Sequence, residues 1–345
     1  MRKLASIQRI WDILPIENAD NLELAKVMGW QCVVKKNEFQ KMDLCVYFEV
    51  DSFLPIEERY EFLRKSSYRS DEINGEGFRI KTAKLRGCLS QGICLPLSMF
   101  PEIVDYELGQ DVTSILKVKK WEVQEMASGA GTVIGNKPYG IPTTDEIRVQ
   151  SDDSLRTALL NKPYYISTKM DGTSCTVYLI DGHFGVCGRN YEYSDDGNSS
   201  MYEYMKKHDI ENKLKEVIVK YDLNSIVIQG EFCGPGVQKN PLNLNMPKWY
   251  IFNVFNGDNM RLIPLNDELS LCKDLGEEHV PIEETGDRFN YSLAELLQKA
   301  KGKYLSGKNK EGIVVRSLNR EYSETLNKEL SFKVINNDYL LKEEG

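Results

Sequence analysis

The sequence predicts an α+β chain of two domains: a β-barrel over residues 1–122, then a larger domain of antiparallel sheets with flanking helices over 123–345. Three observations lead there. The first third consists of short runs of β-forming residues separated by polar turns. A stretch rich in Gly, Pro and Ser, residues 127–144, then interrupts the chain. Beyond it, apolar runs of strand length alternate with segments of helical periodicity.

In the first third, residues 30–34 and 44–50 are dense in β-formers, and Lys36-Asn37-Glu38 between them reads as a turn. Residues 79–85 alternate polar and apolar side chains, and Gly87, Gly92 and Pro96 punctuate the stretch after them. So many short strands in a compact segment point to a small barrel of the OB type. Such barrels often bind nucleic acid, but a barrel alone assigns no function. The interruption contains Ser128-Gly129-Ala130-Gly131-Thr132, Gly135, Pro138, Gly140 and Pro142, which is the chemistry of a loop or linker.

In the last two-thirds, residues 154–160 read as a short helix opened by a serine cap. Residues 175–180 and 183–187 flank Asp181-Gly182, a hairpin signal. Residues 201–221 place Met205, Leu214, Val217, Ile218 and Tyr221 on one face, which predicts the longest helix. Residues 226–228, 249–255 and 313–316 read as strands, the second ending in a turn at Asn256-Gly257, and 292–300 reads as a capped helix.

Composition excludes several classes. The 8 cysteines form no C-x-x-C pair and several sit in apolar runs, so free buried thiols in a reducing compartment are expected. His183, His208 and His279 make no ligand pair, which argues against a His/Cys zinc site. No run is long enough to cross a bilayer and the N-terminus lacks a secretory apolar run. An intracellular chain, cytoplasmic or nuclear and without a membrane partner, is expected, so Asn198-Ser199-Ser200 is read as a chance glycosylation match. The net charge of -8 argues against coating nucleic acid through bulk charge, while leaving room for local basic surfaces such as Lys117-Val118-Lys119-Lys120. Neither a P-loop pattern nor a G-x-G-x-x-G after a strand occurs, so Walker-type and hydride-transfer readings have no support.

The chemistry centres on Lys169-Met170-Asp171-Gly172, which lies between two strand-like runs. A lysine there could attack an electrophile once burial or nearby positive charge removes its proton. Asp171 could hold a metal, and Gly172 would let a ligand approach the backbone. Alone, a four-residue pattern reads equally well as a surface turn. What adds weight is an ordered series behind it: Gly188-Arg189-Asn190, Gln229-Gly230-Glu231-Phe232, Tyr250-Ile251-Phe252-Asn253-Val254, Lys310-Glu311-Gly312-Ile313-Val314-Val315-Arg316, and Phe332-Lys333-Val334-Ile335.

That order resembles the collinear motifs of the covalent nucleotidyltransferase superfamily, which comprises ATP-dependent DNA ligases, RNA ligases and mRNA capping enzymes. The resemblance implies an ATP-grasp-like ligase domain over the last two-thirds of the chain, with Lys169 adenylylated. It implies that Arg189 and Glu231 contact the ribose or the metal waters, that Phe252 stacks on adenine, and that Lys333 meets the ATP phosphates. Asp171, Glu231 and Glu311 would serve Mg²⁺ or Mn²⁺, largely through water. The β-rich module stands before this domain, whereas capping enzymes and most DNA ligases carry theirs after it. With residues 16–25, 47–55 and 144–150, the arrangement resembles the RNA ligase 5 family known from Deinococcus and Naegleria. By that resemblance the chain is an ATP-dependent enzyme, a monomer, that seals 3′-OH/5′-phosphate nicks in RNA-containing duplexes. Arg148 becomes an active-site cation, and Thr168 lines the ATP site beside the nucleophile.

Two departures stand out. The last motif usually reads K-x-K, but Ile335 occupies the second lysine position, which leaves Lys328 or another cation to neutralise the triphosphate. The acidic residue that many relatives carry just before the nucleophile, reading the adenine amino group, is replaced by Ser167 and Thr168. A DNA ligase, a capping-type enzyme and a non-catalytic nucleic-acid-binding protein are the competing readings. The presence of Lys169, Glu231, Glu311 and Lys333 argues against the last.

Overall fold

The structure is a computed structural model that describes residues 2–122 and 131–340. The expected domain boundary after Glu122 and the Ser128-Gly129-Ala130 part of the expected linker fall on residues outside that range. By contacts the chain divides into two units: Met1–Glu125 with Gln150–Asp152 and Leu340–Gly345, and Met126–Val149 with Asp153–Tyr339. Among the described residues, no helix is long and apolar enough to cross a membrane.

The first unit is built on a five-stranded antiparallel sheet ordered Ile93–Pro96, Leu44–Phe48, Ala5–Pro15, Leu22–Val27, Trp30–Lys35. The strand Leu44–Phe48 is apolar throughout because both of its faces are covered. Val46 and Phe48 pack with Ile7, Leu54 and Phe78, whereas Cys45 and Tyr47 pack with Ile10, Trp30 and Cys32. The expected strand over 79–85 is two elements, Gly75–Arg79 and Thr82–Leu85. Ile80 still bonds the strand Ser52–Leu54, its amide donating to the Ser52 carbonyl, and Thr82–Leu85 pairs instead with Cys88–Gln91. All eight cysteines are free, and seven are buried.

The second unit carries the expected strands on two sheets. A five-stranded sheet runs Ile147–Arg148, Ser331–Ile335, Gly312–Ser317, Tyr164–Lys169, Ile282–Gly286. An eight-stranded sheet runs Val133–Asn136, Tyr191–Tyr193, His183–Cys187, Thr173–Ile180, Ile226–Cys233, Lys248–Asn256, Arg261–Leu262, with Glu278–His279 alongside Lys248–Asn256. Almost all pairings are antiparallel. Alternation along the strands sorts the side chains. Ile166, Ile313, Val315, Phe332 and Val334 face one core with Leu155, Leu159 and Leu296. Val177, Ile226, Ile228, Trp249 and Ile251 face a second core under the helices, with Met205, Leu214 and Leu271. The remaining faces of the two sheets carry most of the polar residues singled out above.

Three local expectations in this unit are corrected. The 201–221 helix is two, Ser200–Lys207 and Ile210–Lys220, because Asp209 takes a left-handed backbone at φ 55° and interrupts the ladder. The short helix at 154 is preceded by Asp153, which makes no side-chain cap bond and pairs with Arg156 instead. Residues 133–136, which read as loop, form an edge strand against Tyr191–Tyr193. Two other expectations hold. The 292–300 helix carries its cap as a full capping box between Ser292 and Glu295. At the hairpin, Ile180 pairs with His183 across Asp181-Gly182, both with positive φ, as a two-residue turn of this handedness requires.

Candidate active site

Lys169 is the last residue of Tyr164–Lys169, which lies between Gly312–Ser317 and Ile282–Gly286 in the five-stranded sheet, and a few residues later the chain enters the eight-stranded sheet as Thr173–Ile180. The lysine therefore sits where one sheet hands over to the other. Register places its partners. Lys169 pairs with Gly312, which puts Glu311 beside it, and the Lys169 Nζ to Glu311 Oε2 distance is 2.7 Å. Ser174 pairs with Glu231, and Glu231 Oε1 accepts the Gly172 amide at 3.0 Å. Asp171 is buried between them at 7% exposure. Tyr304 ties the turn together: its hydroxyl donates to the Lys169 carbonyl at 2.7 Å and accepts from the Glu311 amide at 3.0 Å.

Two glycines are dictated by backbone packing. A Cβ on Gly172 would lie 2.4 Å from the Phe232 carbonyl oxygen, so close backbone approach at this point requires glycine. Gly312 has φ 153°, and a Cβ there would lie 2.1 Å from the Val334 carbonyl oxygen. Any side chain at 312 would push Gly312–Ser317, the strand that follows Glu311, away from Ser331–Ile335.

The charges oppose one another strongly. Burial lowers the Lys169 pKa, but Glu311, Glu231 and Asp171 outweigh it and hold the amine above its ordinary value. Burial pushes the Glu231 carboxyl up to about 7, with Lys169 pulling it down and Glu311 adding like-charge repulsion. Burial, with repulsion from Arg148 and Lys169, pushes the Lys333 ammonium down to about 7. Arg148 and Lys333 are register partners on adjacent parallel strands, so two cations stand side by side. One end of the site is thus acidic around the nucleophile and the other basic, a layout suited to a metal and to phosphates respectively.

Phe252 is held at a strand irregularity. Gln229 pairs with Asn253 and Gly230 with Ile251, which leaves Phe252 as an extra residue in Lys248–Asn256. It is half-buried near Met170, Tyr250 and Val280, and the Arg316 guanidinium lies 5.9 Å from its ring centre. The sequence marks Arg316 only as the end of a strand and of the motif that carries Glu311. It is 3% exposed and bonds Ser167 Oγ at 3.1 Å and Glu146 Oε1 at 3.3 Å. Sequence reasoning names Gln229 and Asn253 only as motif members and misses Arg320; the three form a buried hydrogen-bonded group next to Phe252 in the chain. The available signal is Gln and Asn inside otherwise apolar strands.

Other expected residues are less centrally placed. Strand alternation turns Thr168 away from Lys169, and its hydroxyl donates to Glu283 at 2.8 Å. Arg189 is exposed after the hairpin and pairs with Asp145. Lys328 lies on a separate two-stranded ribbon, opposite Ser323, and does not share the sheet face with Lys333. Among the described residues, no three His, Cys, Asp or Glu side chains converge as a direct metal cage. The gathered carboxylates fit a cation held through its water shell, which Mg²⁺ retains readily.

An RNA ligase family model matches residues 162–335, and an OB-fold domain model matches residues 4–97. No curated protein sequence matches the chain. The fold is similar to that of Naegleria gruberi RNA ligase. A lysine-to-alanine variant of that protein with ATP and Mn is 34% identical, with TM-score 0.88 and 98% of each chain covered. A glutamate-to-alanine variant with AMP and Mn gives the same identity, coverage and score. A structure of the same ligase with pyrophosphate is 34% identical, with TM-score 0.85, 99% of this chain and 98% of that one covered. With the motif order, the fold and the family model in agreement, the chain belongs to the RNA ligase family.

Proposed function

We propose that this ATP-dependent RNA ligase seals nicks bearing a 3′-OH and a 5′-phosphate through a lysyl-AMP on Lys169. The observation that carries the reading is the placement of Lys169 at the junction of the sheets, 2.7 Å from Glu311 and within the field of Glu231 and Asp171. The relative was solved with ATP and Mn, with AMP and Mn, and with pyrophosphate, the nucleotide consumed and the two small products released over such a reaction.

In the first step the Lys169 amine attacks the α-phosphorus of ATP, a P–N bond forms, and the bond to the bridging oxygen breaks to release pyrophosphate. The amine must first lose its proton, and Glu311 is its hydrogen-bonded acceptor. In the second step a 5′-phosphate oxygen of the RNA displaces Lys169 from the adenylyl phosphorus. In the third, the 3′-OH attacks the activated 5′-phosphate and AMP leaves. All three are phosphoryl transfers, where positioning and charge neutralisation do most of the catalytic work. Phe252 stacks on the base, Lys333 and Arg148 receive the phosphates, and Arg189, freed from Asp145, reaches the ribose. Glu231, Glu311 and Asp171 would hold hydrated Mg²⁺ or Mn²⁺, which when bound supplies positive charge that favours the neutral amine and the transition-state phosphate. The OB unit is assigned to the duplex, following the common use of that barrel.

Incubation with α-labelled ATP and Mg²⁺ is expected to give a labelled protein that survives denaturation, and Lys169→Ala to abolish it. Label persisting in that variant refutes the assignment. Equal sealing of all-DNA nicks and of nicks with a ribose 3′ end would refute the RNA preference.

A further inference from the structure

We propose that Arg320, Asn253 and Gln229 form a positioning chain that fixes the bulge presenting Phe252 to the nucleotide base. The inference rests on Phe252 as the base platform in the function proposed above. Antiparallel strands normally alternate strictly, and one extra residue breaks that alternation at a defined point. Here the point is Phe252, with Gln229 opposite Asn253 on one side and Gly230 opposite Ile251 on the other. A slip by one position would carry Phe252 to the opposite face, into the helix-covered core. Something must hold the extra residue where it is.

The hydrogen bonds run through that point. Asn253 Nδ2 donates to Gln229 Oε1 at 2.9 Å, across the irregular pair itself. Gln229 Nε2 donates to the Pro142 carbonyl at 2.7 Å. Asn253 Oδ1 accepts from Arg320 Nη2, and Arg320 Nη1 donates to Tyr165 Oη at 2.6 Å. Tyr165 lies on the strand that ends in Lys169, so the chain links the nucleophile's sheet to the base platform's sheet. Arg320 is 7% exposed and its backbone is left-handed at φ 55°, a conformation unfavourable to a side chain and accepted here with the guanidinium aimed inward. Gln229 is fully buried and Asn253 is 8% exposed. For stability alone, apolar side chains of similar size would serve such a place as well or better, because buried polar groups are costly to desolvate. A polar chain that spans both sheets at the bulge fixes one register instead.

The test is a double-mutant cycle on single-turnover lysine adenylylation by the full chain, with ATP concentration varied. Asn253→Ala is expected to raise the half-saturating ATP concentration about tenfold while the rate at saturation changes less than about threefold, a loss of one stacking contact's worth of binding. In a Phe252→Ala background, Asn253→Ala is expected to add nothing further, because residues acting through one group are not additive. Effects that multiply, or a loss confined to the saturated rate, overturn the proposal. Gln229→Met, which keeps the volume and removes the acceptor for Asn253, replaces Asn253→Ala if the latter does not fold. A wild-type protein that forms no adduct would instead refute the functional reading on which the inference stands. Adduct formation with an additive cycle refutes the inference alone.

Discussion

The ammonium of Lys333 offers the sharpest handle on the basic end of the site. Burial, Arg148 and Lys169 bring it down to about 7 in the free protein. Triphosphate placed against it would remove the repulsion and return it toward the ordinary lysine value of about 10.4. Binding should then take up protons by linkage: about half a proton at pH 7 and about nine-tenths at pH 8, from the fraction of Lys333 left neutral. Apparent affinity should fall about 50-fold between pH 7 and pH 9, because neutral Lys333 must first be recharged. Calorimetry in two buffers of different ionisation enthalpy measures the uptake. An ATP analogue with a methylene between the α and β phosphorus keeps chemistry from intervening, and the ATP-like phosphates are themselves fully ionised at pH 8. Stability carries the same signature with a fixed sign. A depressed lysine leaves the fold most stable above the ordinary value and less stable as pH falls through about 7, where Lys333 must charge. Lys333→Met should therefore raise the melting temperature at pH 6 and leave it unchanged at pH 10.5. Equal proton uptake in wild type and Lys333→Met at pH 8 would show that Lys333 does not meet the phosphates.

The acidic end and the backbone carry two more expected outcomes. The Glu231 carboxyl, raised to about 7, favours the fold below its ordinary range and loses that contribution as pH rises through about 7. Thermal melts of Glu231→Gln should thus exceed wild type at pH 8 and match it near pH 4, while lysine adenylylation falls about 100-fold or more; no melting gain at pH 8 would contradict the placement of Glu231 among like charges. Gly312→Ala, with its Cβ 2.1 Å from the Val334 carbonyl oxygen, should cost about 3 kcal/mol or more in chemical denaturation, and a loss below about 1 kcal/mol would refute the close packing.

What the sequence made legible is what local chemistry encodes. Asp181-Gly182 announces its hairpin, Ser292 and Glu295 announce a helix start, and the apolar runs announce strands. The acidic residues near the nucleophile could be named because motif order survives in a linear chain. Their proximity could not, since Glu311 reaches Lys169 through a pairing of distant strands that no local pattern records. The same limit hides Arg316 and Arg320, which look like strand-end and loop cations until the sheets close over them. Helical periodicity across 201–221 continues past Asp209, because an amphipathic face can persist on both sides of a break at one left-handed residue. The edge strand over 133–136 is masked by the Gly and Pro around it.

The absence of the second lysine at Ile335 traces to the sheet. Ser331, Lys333 and Ile335 share one face, and Ile335 pairs with Gly312, the partner of Lys169. It is 3% exposed, so a lysine there would bury a second ammonium in the row of the nucleophile, already crowded with charge. Arg148 is joined to Lys333 in register from the neighbouring strand and needs no change in that row. Lys328 stands apart on its own ribbon. Arg148 thus stands at the position on the next strand that matches Lys333, where a second cation of the motif would reach the same face. An arginine also keeps its charge when burial and Lys333 press against it, which a second lysine in that place would not. If Arg148 takes this part, Arg148→Lys should weaken ATP binding above pH 7 more than below it, since two depressible amines would then share the phosphates. A pH-independent loss would mean that Arg148 acts by shape and not as the surviving cation.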